Sequence, residues 1–89
     1  MEKRIGSVLI LVEENSEVSL LNEIISRHAQ LIIGRQGIPL RDRKINLISL
    51  VLEGSTDEIG ALTGQLGRLR NIRIKSLLIP QKEQENEKN

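Results

Sequence analysis

The chain carries one imidazole, His28, and no cysteine. Thiolate metal centres, iron-sulfur clusters, disulfides and cysteine nucleophiles are therefore excluded together. His28 falls in an apolar stripe with Val18, Leu21 and Ile25, spaced as on one side of a helix. That spacing makes it a packing residue near a helix C-terminus rather than a ligand or a general base. A hydrolase needs a nucleophile beside a base, and no such pair is suggested by the spacing. No glycine-rich phosphate loop of the Walker type occurs either. The expectation is a protein that is not an enzyme, holds no specific transition metal and uses no cofactor.

Two groups of residues remain that could bind something. The first is Arg35-Gln36-Gly37-Ile38-Pro39, followed by Arg41, Arg43 and Lys44. It reads as a loop able to present guanidinium groups to an anion or a partner, with Arg35, Gly37 and Pro39 as its candidate binding residues. A plain turn with solvated charges is the simpler alternative. The second group is Gly60, Gly64 and Gly67, with Thr63 between them, inside a helical segment. A helical glycine costs about 1 kcal/mol relative to alanine, so three in one helix call for a reason.

Charge and composition narrow the partners. Thirteen basic and twelve acidic residues leave a net charge of +1, which argues against binding that rests on neutralising a phosphate backbone. The charges are unevenly spread all the same. Glu13, Glu14, Glu17 and Glu23 make one region acidic, while Arg35 to Lys44 and Arg68 to Lys75 are basic, a distribution suited to protein association. Phe, Trp and Tyr are absent, so no base or ring can stack on an aromatic side chain of this chain.

The elements that must position these residues follow from periodicity and caps. Arg4 to Val12 predicts a first strand around the short apolar run Val8 to Val12, too short for a membrane span or signal peptide. Ser16 can cap a helix over residues 17–29. Leu31-Ile32-Ile33 starts a short second strand that runs into Gly34, Gly37 and Pro39, and a basic loop, Leu40 to Lys44, leads to a third strand, Ile45 to Glu53. Ser55-Thr56-Asp57-Glu58 is a capping box that fixes the start of the second helix. Ile59, Leu62, Leu66 and Leu69 lie within an arc of about 80°, and the three glycines cluster on a flank about 145° away. Asn71 is placed to end this helix in a left-handed conformation. Asn71 to Ile79 predicts the last strand, and Pro80 stops it.

This order is the split β-α-β pattern of an α+β, ferredoxin-like sandwich, in which a four-stranded antiparallel sheet carries both helices on one face. Residues 1–80 form this one domain, and the polar segment 81–89 is expected to be disordered. The central first and third strands are apolar on both sides, whereas a sheet face open to water should carry polar residues. A second copy is the simplest cover, with Ile48, Leu50 and Leu52 as the expected contact set and Ile45, Leu47 and Val51 pointing the other way. A small domain of this kind is expected as a homodimer or a higher even oligomer in a reducing cytoplasm.

The segment Ile59-Gly60-Ala61-Leu62-Thr63-Gly64-Gln65-Leu66-Gly67, with Ile72-Arg73-Ile74-Lys75 after it, resembles the hallmark of the iron-only hydrogenase system regulators. Arg35-Gln36-Gly37-Ile38-Pro39 matches the same family's pattern. The resemblance covers nearly the whole chain up to Pro80. It implies an ACT-like, ferredoxin-like module, similar also to the C-terminal domain of nickel-responsive repressors. Those repressors bind nickel through several His and a Cys, a set that one His cannot supply. The implied role is regulation of an iron-only hydrogenase system, at the level of expression or maturation, through protein partners or a small effector. The alternative is a direct nucleic-acid-binding transcriptional regulator, whose oligomer pools the basic segments.

Overall fold

The computed structural model describes residues 2–80. Six main elements follow in order: β1 (Arg4–Val12), α1 (Val18–Arg27), β2 (Ile32–Leu40), β3 (Ile45–Gly54), α2 (Thr56–Leu66) and β4 (Ile72–Leu78). Short 3₁₀ turns at Ala29–Leu31 and Arg41–Arg43 flank β2. The strands form one antiparallel sheet of order β2-β3-β1-β4. β1 and β3 are thus central, because α1 carries the chain across the position that β3 later fills and α2 carries it past β1. The segment expected to be a disordered tail, 81–89, lies outside the described residues.

One face of the sheet carries both helices and the core. Val8, Ile10 and Val12 of β1 and Leu50 and Leu52 of β3 meet Leu21, Ile24 and Ile25 of α1 and Ile59, Leu62 and Leu66 of α2 in a single core. Leu69 and Ile72 close it at the end of α2 and the start of β4. At Gly6 an added Cβ would lie 2.9 Å from the Leu77 carbonyl oxygen, and at Gly54 2.8 Å from Leu31 Cδ2. β1 needs glycine at position 6, where the close neighbour is backbone, while at Gly54 the Leu31 side chain would have to move aside.

The capping box at α2 forms as expected. Ser55 Oγ accepts from the Glu58 amide at 3.1 Å, and the Glu58 carboxylate accepts from the Ser55 amide at 2.9 Å. The start of α1 differs from expectation. Glu17 holds the cap position without a side-chain bond, and Ser16 Oγ is buried with no partner among the described residues. Ser16 stands one residue too far upstream for its hydroxyl to reach the first free amides. The stripe shifts with it: Ile24 enters the core, and Val18 stays 47% exposed. At the far end of α2, Gly67 is the cap residue, so the helix ends before Arg68. Asn71 does adopt a left-handed conformation, φ 58°, but in the turn into β4. There its side-chain amide donates to the Glu14 and Asn15 carbonyls.

Two corrections concern the sheet. Arg35 to Pro39 is not a loop: β2 continues through it to Leu40 as the edge strand paired with β3. The glycines and the proline are tolerated because an edge strand leaves one side of its backbone unpaired. A register shift between Ile32 and Gly34 inserts Ile33 as a bulge. Leu50 and Leu52 are not contact residues for a second copy, because both are 0% exposed under the helices, and Ile48 packs against the same core. In a capped sheet the most buried residues of the central strand go to the side the helices cover.

Candidate functional site

The bulge decides which way the end of β2 points. Arg35 stands opposite Leu50, Gly37 opposite Ile48 and Pro39 opposite Asn46, so all three share the helix-bearing face with Leu50. α1 does not reach across this end of the sheet. Between them lies an open groove of about 330 Å³, walled by Val18, Leu21 and Asn22 on one side and by Gly37 and Pro39 on the other. Ile48, Val12 and Asn46 also line it, and Arg35 borders it. The Arg35-Gly37-Pro39 set proposed from sequence is therefore brought together, on a strand instead of a loop. Val18, Asn22 and Asn46 are its neighbours that the sequence did not suggest. Their only signal was that Val18 and Asn22 follow each other by one helical turn.

The glycine set lies elsewhere. Gly60 and Gly64 are exposed on the outer side of α2, and an added Cβ at either would meet nothing within 4 Å. Close packing against the described residues is thus not the reason for these two. Gly67 sits nearer the sheet, where an added Cβ would lie 3.3 Å from the Thr63 carbonyl and 4.0 Å from Ile74 Cδ1. The Thr63 hydroxyl donates to the Gly60 carbonyl at 3.3 Å and so turns back on its own helix.

The third surface is the helix-free face of the sheet. Leu9 and Leu11 of β1, Leu47 and Val51 of β3, Ile38 of β2 and Leu77 of β4 share it by register. Leu9 is 49% exposed, Val51 39% and Leu77 61%. Ile45 and Leu40 continue it toward the Arg41–Arg43 turn.

Much of the charge asymmetry is satisfied inside the chain. Arg73 pairs with Glu13 at 2.8 Å, and the Arg70 amide donates to Glu17 Oε1 at 2.8 Å. Arg27 pairs with Glu23 one helical turn away at 2.7 Å. All are exposed and contribute little to stability. Arg43 and Lys44 share a shallow depression with Glu13 and Glu14, so acidic residues border the basic turn. Lys44 closes that turn with φ 56°. His28 ends α1, its Nδ1 2.9 Å from the Ile24 carbonyl, where Nδ1–H donates. Among the described residues no group of three or more acidic or imidazole side chains converges.

Sheet order, helix placement and the uncovered face define a ferredoxin-like α+β domain. Residues 4–76 match the TM1266-like family, described as "Iron-only hydrogenase system regulator, putative". The chain belongs to that family. Among solved structures, that of the uncharacterized protein TM1266 from Thermotoga maritima superposes with a TM-score of 0.83 at 34% identity, covering 89% of this chain and 100% of that one. A CPII protein from Thiomonas intermedia K12, solved bound to ADP, AMP and acetate, gives a TM-score of 0.46 at 8% identity, covering 91% of this chain and 94% of that one. That likeness is too slight to carry an argument. No curated protein matches significantly.

Proposed function

We propose that this member of the family is a non-catalytic regulatory module that works as a homodimer or higher even oligomer, joined through its helix-free sheet face. The exposed Leu9, Val51 and Leu77 carry the reading. Isolated apolar residues on a surface are ordinary, but here Leu9, Leu11, Leu47 and Ile38 adjoin across three strands, with Ser7, Ser49 and Lys75 between the outer members, and an apolar run of that extent suits docking. A sheet four strands wide with nine residues in β1 presents roughly 600 Å². Two such faces bury about 1,200 Å², the lower bound of specific interfaces. The regulated process is that of the family, an iron-only hydrogenase system, reached through a protein partner or a small effector. The exposed Gly60 and Gly64 leave the α2 backbone open to such a partner. Pooled basic segments gripping nucleic acid fit less well, since Arg73 is paired with Glu13, and Glu13 and Glu14 border Arg43 and Lys44.

Light scattering on the full chain tests this reading against a Leu9→Lys variant. The wild type is expected as an even oligomer at micromolar concentration. Leu9→Lys is expected as a monomer with unchanged circular dichroism, since Leu9 lies outside the core. A monomeric wild type overturns the proposal.

A further inference from the structure

We propose that the groove between α1 and the Arg35–Pro39 stretch of β2 binds a small aliphatic carboxylate, its charge held by Arg35 and its chain lying on Val18, Pro39 and Ile48. The inference rests on the reading of the chain as a regulatory module and names the class of effector.

The lining supplies the chemistry. Its walls are apolar, two amides (Asn22 and Asn46) add neutral hydrogen-bonding groups, and among the described residues Arg35 is the one charged side chain and no carboxylate lines it. Among the described residues Arg35 has no acidic partner within 4.0 Å, whereas Arg27 and Arg73 have theirs at 2.7 and 2.8 Å. The Leu50 register places it on the groove side. A guanidinium bordering an apolar cleft favours a ligand that joins a negative head to a hydrocarbon body.

Size and composition narrow that class. A volume of about 330 Å³ lies at the small end of ligand sites. Gly37 keeps the wall low, since an added Cβ there would meet nothing within 4 Å. The planar fork of a single guanidinium matches the two oxygens of a carboxylate. A nucleotide would lack an aromatic surface to stack on, because the chain has none.

The test is an amide NMR titration of the full chain with isocaproate, compared with its uncharged amide, with acetate and with inorganic phosphate. Isocaproate is expected to give saturable shifts at Gly37, Asn22 and Asn46. Acetate and the uncharged amide should bind more weakly, and Arg35→Gln should weaken isocaproate by about tenfold or more. Absence of saturable shifts overturns the proposal. So do shifts that survive Arg35→Gln undiminished, or phosphate binding as tight as isocaproate. Light scattering on the same samples separates the two readings. Binding by a monomer would keep the groove and remove the sheet-face oligomer; an oligomer without binding would do the reverse.

Discussion

The two faces of the sheet are built from the same strands and both carry aliphatic side chains, yet they meet opposite fates. On one side Val8, Ile10, Leu50 and Leu52 disappear beneath two helices. On the other, Leu9 and Val51 stand in solvent one residue further along the same strands, with Leu77 beside them on β4. Alternation alone accounts for the geometry, since successive side chains leave a strand on opposite sides. It does not account for the composition. A sheet that only needed to cover its own helices would carry polar residues outward, as Arg73 and Lys75 do on β4. The closed face holds the chain together, and the open face is the one on which the proposed association rests.

Substitutions at adjacent positions break the comparison most sharply. Leu52→Ala, at 0% exposure, is expected to lose about 2 to 5 kcal/mol of unfolding free energy. Val51→Ala, next to it on the open face, is expected to lose under about 1 kcal/mol in the same urea melts when the protein is dilute enough to be monomeric. Equal losses would show that the outer face is also sealed within one chain.

The same contrast runs through α2. Its inner stripe is packed, while Gly60 and Gly64 face open space. Gly64→Ala is expected to raise stability by about 0.5 to 1 kcal/mol through helix propensity, read as a higher midpoint in denaturant. A loss would mean that something occupies the space above the glycine.

The smallest effect concerns how α2 is fixed to the closed face. The Ser55 amide bonded to the Glu58 carboxylate holds its pKa below the usual value of 4.5. A carboxylate depressed in the folded state adds stability that is fully present above its unfolded value and is lost as pH falls through the folded one. Glu58 is exposed, so the contribution is small. Glu58→Gln should flatten the decline of thermal stability below about pH 4.5 and leave light scattering at neutral pH unchanged. An unchanged acid limb would remove Glu58 as its source.

Much of the closed side was legible in sequence. The capping box fixed the start of α2, and the steps Ile59, Leu62 and Leu66 gave its buried stripe because a 3.6-residue period with a sharp start leaves little freedom. α1 was less legible, since Ser16 looks like a cap but Glu17 occupies that position. The faces of β3 could not be told apart, because both are apolar and alternation carries no label for inside. The candidate groove was half visible. Arg35, Gly37 and Pro39 were found, but glycine and proline made their strand look like a loop, and Asn46 and Val18 join them only through folding.

The bulge at Ile33 carries a last consequence, for how this chain can change length. Counted from Ile32 without interruption, a strand would send Arg35, Gly37 and Pro39 outward and bring Ile38 beneath the helix layer. One surplus residue inverts that parity. Ile32 already opposes Leu52 and Gly34 already opposes Val51, so loss of Ile33 alone would leave every downstream side chain on its present side. A deletion anywhere between Gly34 and Pro39 would exchange the two sets beyond it. β2 therefore contains one place where the reading frame of its faces tolerates shortening, and it lies just ahead of the residues whose orientation matters most.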